Sequence, residues 1–282
     1  MAEISAGLVK ELRELTGLGM MECKKALTEC DGDLRKAEEL LRIKSGAKAS
    51  KAASRVAAEG VIGIWVSADA KIGALVELNC ETDFVAKNDD FLAFAQSLAE
   101  VVATRAPGDT EELGSIDLLG SKIEAKRQGL VQKIGENITI RRCRRLQAKG
   151  RLAQYLHATK KIGVLVDFEG ADEIGKGLAM HTAFYRPQYL SKANVPADVV
   201  AREREIQQAR AKESGKPAEI AAKMVEGAVN KYLAEITLLG QPYVLNDKES
   251  VEKMLAGQKA KVHDYAVLVV GEGIEKPGAS VH

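Results

Sequence analysis

Aromatic residues are scarce, at 4% of the 282 residues, with a single tryptophan and five phenylalanines. Aliphatic side chains and alanine must therefore pack the interior. Cysteine is rarer still. Cys23, Cys30, Cys80 and Cys143 form no C-x-x-C pair and lie too far apart for a disulfide framework or zinc site. His157, His181, His263 and His282 are scattered, with no H-E-x-x-H spacing. No metal and no cofactor are expected. Excess charge of either sign is also absent. Forty-one basic against forty acidic residues leave +1, which gives no bulk drive toward nucleic acid or membrane. No apolar run reaches the length that spans a bilayer, and the start carries Glu3 and no signal-peptide core. The phosphate-binding pattern GxxxxGK(S/T) is missing. A reduced, metal-free, cytoplasmic protein is expected.

What is present is an ordinary globular composition, 46% apolar and 29% charged, long enough for two or three cores. Residues 4–44 read as three short helices. Leu8, Leu12 and Leu15 share one face, Gly17 and Gly19 break that helix, and Met20, Met21, Ala26 and Leu27 begin another. Asp31-Gly32-Asp33 turns and caps a third, with Leu34, Ala37, Leu40 and Leu41 inward. Adjacent residues on a helix cannot both face one small core, so at least one of Met20 and Met21 is expected outside. Residues 45–58 have almost no bulky apolar side chain. They read as a tether, partly helical through their alanines, with solvated basic residues.

A duplication follows. Lys71-Ile72-Gly73-Ala74-Leu75-Val76-Glu77-Leu78 matches Lys161-Ile162-Gly163-Val164-Leu165-Val166-Asp167-Phe168 position by position. Each copy has a strand-like run before it (60–67, 152–158), a helix after it (88–104, 172–186) and a returning strand (137–146, 262–271). The expected class is α+β, with two duplicated antiparallel sheets each covered by helices on one face. A helical hairpin over about 197–237 is inserted in the second copy, its first helix poorly apolar. The expected units are 1–45, a linker at 46–58, then 59–147 and 148–282.

The copies part after the matched strand. Glu169-Gly170-Ala171-Asp172 turns directly into a helix, whereas Asn79-Cys80-Glu81-Thr82-Asp83-Phe84-Val85-Ala86-Lys87-Asn88 forms a strand-to-helix corner. Asn88, with Asp89 and Asp90 behind it, suits a helix N-terminus. An acid beside a large ring leaves two readings. Phe84 folds into the core while Asp83 or Thr82 caps a turn, or the corner is a wedge that pushes a ring and a charge into a partner. The stretch 77–90 is strongly acidic and would repel phosphates.

Residues 79–86 resemble the signature of the bacterial elongation factor Ts family. The resemblance extends through Thr16 to Leu27, Lys133-Ile134-Gly135-Glu136-Asn137-Ile138, Lys223 to Gly227, Gln241-Pro242-Tyr243-Val244 and Gly271 to Glu275. It implies a guanine nucleotide exchange factor for the GTPase elongation factor Tu, and it favours the wedge. It implies a ubiquitin-associated-like (UBA-like) three-helix domain at the start. Thr82, Asp83, Phe84 and Val85 would disturb the partner's Mg²⁺ and phosphate site, and Lys10, Arg13, Met20, Met21 and His157 would bind the partner. The complex would be 1:1 or 2:2, or include a homo-oligomer. Relatives have glycines where Ala158 and Thr159 stand, so the hairpin at His157 should be less permissive. A C-terminal helix of some relatives is not expected after Ile274.

Two other chemistries compete. Cys80 beside Glu81 suggests a nucleophile, but nothing places a histidine or an oxyanion hole; no enzyme is expected. Arg141, Arg142, Arg144, Arg145, Lys149 and Arg151 form the densest basic run, which makes an RNA-binding module the alternative. That run contains no aromatic for base stacking, so no specific nucleic acid partner is expected.

Overall fold

The computed structural model describes residues 4–213 and 215–275; Ser214 in the hairpin's joint, Glu3, His282 and nearly all of the tail after Ile274 lie outside them. α1 (Ala6–Thr16) opens where the Ser5 hydroxyl accepts the Leu8 N–H, and closes on Gly17 at a φ of 67°. That left-handed turn suits a residue without Cβ. α2 (Met20–Glu29) follows, and the Asp33 carboxylate caps α3 (Leu34–Ala52) through the amides of Arg35 and Lys36. Leu12, Cys23, Leu27, Ala37 and Leu41 meet in a core of their own.

The first half of the body then runs β1 (Glu59–Val66), β2 (Ile72–Cys80), α4 (Asp89–Arg105), α5 (Thr110–Ser115), the small hairpin β3 (Asp117–Leu118) and β4 (Ser121–Lys122), α6 (Ile123–Ile134) and β5 (Thr139–Gln147). Its antiparallel sheet has the order β1-β2-β5. The second half runs β6 (Arg151–Leu156), β7 (Ile162–Glu169), α7 (Asp172–Tyr185), the antiparallel pair α8 (Ala197–Glu213) and α9 (Ala218–Ile236), β8 (Pro242–Tyr243), β9 (Asn246–Ser250), α10 (Val251–Gly257) and β10 (Lys261–Val269). Its sheet has the order β10-β7-β6, also antiparallel.

The tether expected over 46–58 is instead mostly helix. α3 continues to Ala52, and Ser45, Ala49 and Ala52 are buried at i, i+4 and i+7. Ala49 and Ala52 join Leu98, Ala99 and Val131 in the core of the first half. Small side chains leave the same mark on a loose linker and on a helix that must approach another closely. Here they serve the second purpose, packing α3 on α6. Three basic residues here are paired rather than merely solvated: Lys44 with Glu29 at 2.6 Å, Lys48 with Glu22 at 2.8 Å and, just past the helix, Arg55 with Glu81 at 3.2 Å.

Each central strand is buried on both faces. Ala74, Val76, Leu78 and Cys80 face α4, and Val164, Val166 and Phe168 face α7. On the opposite faces Ile62, Ile64, Leu75, Leu165, Ala266 and Leu268 form one core between the sheets. A Cβ on Gly73 would come within 2.8 Å of Leu152, and one on Gly163 within 2.5 Å of Ile62, so both glycines mark the closest approach of the halves.

The halves hold each other reciprocally. At the two hairpin tips Ala70 O accepts the Leu152 N–H and Lys160 O accepts the Ile62 N–H, both at 2.8 Å. Asp167 receives the amides of Lys149 and Gly150, just past β5, and Glu77 receives the amide of Gly271, just past β10. Glu77 is 0% exposed. A bulge at Arg141 lets two consecutive arginines reach it, Arg141 at 3.0 Å and Arg142 at 2.5 Å, which an unbroken strand would send to opposite faces. A matching register shift occurs between Val262 and Asp264 in β10. Burial pushes the Glu77 carboxyl up, but the Gly271 N–H and the two guanidiniums outweigh it and hold the group below its usual range.

Among the described residues no helix is long and apolar enough to cross a membrane.

Candidate functional site

The corner after β2 is where the duplicated pattern parts directly after the matched strand, and it presents the ring of Phe84 to solvent at 81% exposure. The core reading of Phe84 is therefore set aside. Val85 and Ala86 turn inward instead, within a single 3-10 turn at Val85–Lys87, and are buried against the first half's core. Val85 thus anchors the corner and does not project with Phe84. Asn88 caps α4, its side-chain oxygen accepting the amides of Asp90 and Phe91.

Asp83 is exposed and pairs with Lys87 one turn later at 2.8 Å. The hydrogen bond and charge of Lys87 hold the Asp83 carboxyl below the usual carboxylate range. The same ammonium stands 6.0 Å from the Phe84 ring centroid, within reach of a weak cation–π attraction. The exposed group is thus a ring, an anion and the cation between them.

Behind the tip, Thr82 is fixed at three atoms. Its amide and hydroxyl donate to the Glu136 carboxylate at 3.0 and 2.6 Å, and its carbonyl accepts from the Cys80 thiol at 3.1 Å. The Glu81 amide also donates to Glu136, at 3.0 Å. In return the Glu81 carboxylate accepts the Asn137 N–H and pairs with Arg55. Arg55 then donates to Gly135 O at 3.0 Å, and its own carbonyl accepts from the Asn137 side-chain Nδ2 at 2.7 Å. Cys80 is fully buried at the end of β2. Burial, with the charges of Glu136 and Glu59, pushes its thiol up to about 12.

Met20 and Met21 are 59% and 74% exposed, so neither fills the three-helix core. Lys10 and Arg13 are exposed on α1, with Lys10 loosely paired to Glu14 at 3.8 Å. α2 is tied to the body, since Glu22 accepts from Gln132 of α6 at 3.1 Å as well as from Lys48. His157 is half-buried at the β6–β7 hairpin, its Nδ1 2.8 Å from the Thr159 hydroxyl. The left-handed residue of that hairpin is Lys160, at a φ of 57°, so Ala158 and Thr159 cost the turn nothing. Lys161 beside it pairs with Glu59, which lies opposite Cys80 in the sheet. The hairpin therefore stands next to the base of the corner.

The basic run is largely engaged within the molecule. Arg141 and Arg142 hold Glu77, Arg145 donates to Ala103 O at 2.8 Å, and Arg151 reaches Asp172 and Gly170 O. Arg144 and Lys149 remain exposed. Among the described residues no cluster of histidine, cysteine and carboxylate could hold a metal.

Sequence reasoning passed over Glu136, Arg55 and Glu81 as parts of the site. The one available signal was that residues 133–138 belong to the same family resemblance as the corner.

A family model described as Elongation factor TS matches residues 81–272. The chain is 58% identical over 276 residues to the elongation factor Ts of Bordetella petrii, covering 98% of this chain and 94% of that protein. It is 56% identical over 277 residues to that of Aromatoleum aromaticum and 57% identical over 278 residues to that of Nitrosomonas eutropha, with the same shares covered in each case.

Proposed function

The chain belongs to the elongation factor Ts family, and from that premise we propose that it is a guanine nucleotide exchange factor for the translation GTPase elongation factor Tu, acting in the cytoplasm without bond-making chemistry. In P-loop GTPases backbone amides and a lysine cradle the phosphates, and Mg²⁺ ties them to the protein. An exchange factor needs no nucleophile. It needs a group that enters beside those contacts and binds best when they are broken. The observation that supports this reading is the 81% exposed Phe84 ring, next to an anion, on a corner braced from behind. In this reading Asp83 and Phe84 intrude beside the partner's Mg²⁺ site, Thr82 and Val85 hold them out, and Lys10, Arg13, Met20, Met21 and His157 dock the rest of the factor. The coupling is reciprocal: whatever factor lowers the affinity for GDP lowers the affinity of the GDP-bound partner for this protein equally.

The test is stopped-flow release of labelled GDP from elongation factor Tu, with and without this protein. Faster release that saturates with protein concentration is expected. An unchanged release rate at saturating protein would sink the reading.

A further inference from the structure

Four short segments converge behind the exposed ring: the end of α3, the end of β2, the corner, and residues 135–137 between α6 and β5. The 3-10 turn at Val85–Lys87 bonds the far side of the corner, but its near side, Glu81 and Thr82, belongs to no strand or helix. The backbone amides of Glu81 and Thr82 lie past the last pair of β2 with β1, which is Cys80 with Glu59. Without another acceptor they would be left to solvent, and the corner would sample many conformations at an entropic cost on binding. One carboxylate takes both amides and the Thr82 hydroxyl as well. Glu136 Oε2 accepts from Glu81 N and Thr82 N, each at 3.0 Å, and Oε1 accepts from the Thr82 hydroxyl at 2.6 Å. Hydrogen bonds to a charged acceptor are about twice as strong as neutral ones, and three on one side chain fix its direction.

Glu136 is in turn fixed by its own backbone. Gly135 O accepts from Arg55, and the Asn137 amide donates to the Glu81 carboxylate. The brace therefore closes on itself, corner to 136 and 137 back to corner, with Arg55 joining both strands of it to the end of α3.

We propose that Glu136 is the positioning residue of the Asp83–Phe84 corner, holding Thr82 so that the ring is presented to the partner already ordered. This rests on the exchange reading above. Glu136 need not touch the partner; it acts through Thr82. Its loss should therefore alter how effectively bound factor expels nucleotide, more than how tightly the factor docks through its other surfaces.

The test compares Glu136→Met with the unchanged protein in two independent measurements. Methionine keeps a similar length but removes both carboxylate oxygens, so the Glu81 and Thr82 amides lose their acceptor; glutamine would not serve, because its one oxygen can take both amides while its NH₂ donates to the Thr82 hydroxyl. In amide hydrogen exchange of the protein alone, those two amides should exchange roughly tenfold to a hundredfold faster, with the rest of the map and the melting temperature little changed. In GDP release from elongation factor Tu, the maximal rate at saturating factor should fall about tenfold while the half-saturating concentration moves less than about threefold. In a Phe84→Ala background the same substitution should cost almost nothing more, because the group it positions is gone. Should Glu136→Met melt much lower, Thr82→Val, which removes only the hydroxyl donor, replaces it with the same expectations at smaller size. Unchanged exchange of the two amides overturns the proposal, as does an additive loss in the Phe84→Ala background. If the unchanged protein fails to speed GDP release, the exchange reading falls, and the amide map still decides whether Glu136 orders the corner.

Discussion

Phe84 and Val85 are neighbours with opposite fates, and that contrast separates contact from stability at single-residue resolution. Truncating a buried ring costs about 3–5 kcal/mol. Phe84 is exposed, so Phe84→Ala should leave the melting temperature within a degree or two, while GDP release promoted by the factor falls by at least tenfold. Val85 is buried. Val85→Ala should lose about 1.5 kcal/mol, the value of its two methyl groups at roughly 0.8 kcal/mol each, and retain release once conditions keep the protein folded. A large drop in melting temperature for Phe84→Ala, with release intact, would overturn the assignment. Composition could not decide this pair, since Asp-Phe-Val reads equally well as a turn closing on a core ring. The resemblance chose the side that the exposure of Phe84 supports. Glu136 was beyond reach for another reason. It bonds residues 54 and 55 positions away, and no local periodicity records a side chain that caps a distant loop.

At the scale of elements, duplication and hydrophobic pattern made the three strands of each sheet and the helix after each matched strand readable, though not the strand order. The helical hairpin was readable too. α8 buries only Ala211 among its described side chains, while α9 turns Val225, Val229, Leu233 and Ile236 inward. Replacing residues 199–233 by a short Gly/Ser linker should therefore leave the melt of the remainder and the GDP release rate within a few-fold. A collapse of release with the circular dichroism unchanged would place the hairpin in the mechanism. α3 was misread because a stripe of Ser and Ala is silent about whether anything packs on it. Its correction changes a truncation experiment. Removing residues 1–44 deletes the three-helix core and should weaken binding to the GTPase while leaving the body folded. Removing residues 1–58 also strips Ala49, Ala52 and Arg55 from the first half, and the body should then melt at least several degrees lower. Equal melts for the two truncations would show that the extension of α3 adds nothing. α5 and α10 left weaker marks because helices of six and seven residues carry little periodicity, and α6 because its partial burial is spread around the helix and not confined to one face.

For the whole molecule, the two-sided burial of β2 and β7 was implicit in their near-continuous apolar runs, yet which surface covers the second face could not be read from either copy alone. The sheets cover each other, and Glu77 is one of the buried carboxylates at that seam, with Asp167 its counterpart. Its folded-state titration lies below the ordinary carboxyl value of 4.5. The stability it contributes is thus fully present above that value and lost as pH falls through the folded one. Glu77→Gln leaves two guanidiniums without their buried carboxylate and should cost about 3–5 kcal/mol near neutrality. The difference from the unchanged protein should begin to shrink below about pH 4.5, where the unfolded chain takes up its proton, and close only as pH falls through the lower folded value. Denaturant melts at pH 7 and pH 4 check both points, and a gap that stays constant with pH would rule out the carboxylate's charge as the source. The same seam also sets a timetable. Glu77 meets Arg141 and Arg142 soon after they are synthesised, but Gly271 lies 194 residues downstream. At ribosomal speeds of roughly 5–20 residues per second that amide follows Glu77 by about 10–40 s, and the completed first half by about 6–25 s. Throughout that interval the nascent first half displays Ile62, Ile64 and Leu75, the face meant for the second sheet. A factor that serves elongation is thus itself the kind of chain for which elongation speed matters, since a slow ribosome prolongs the exposure of an unmatched apolar sheet.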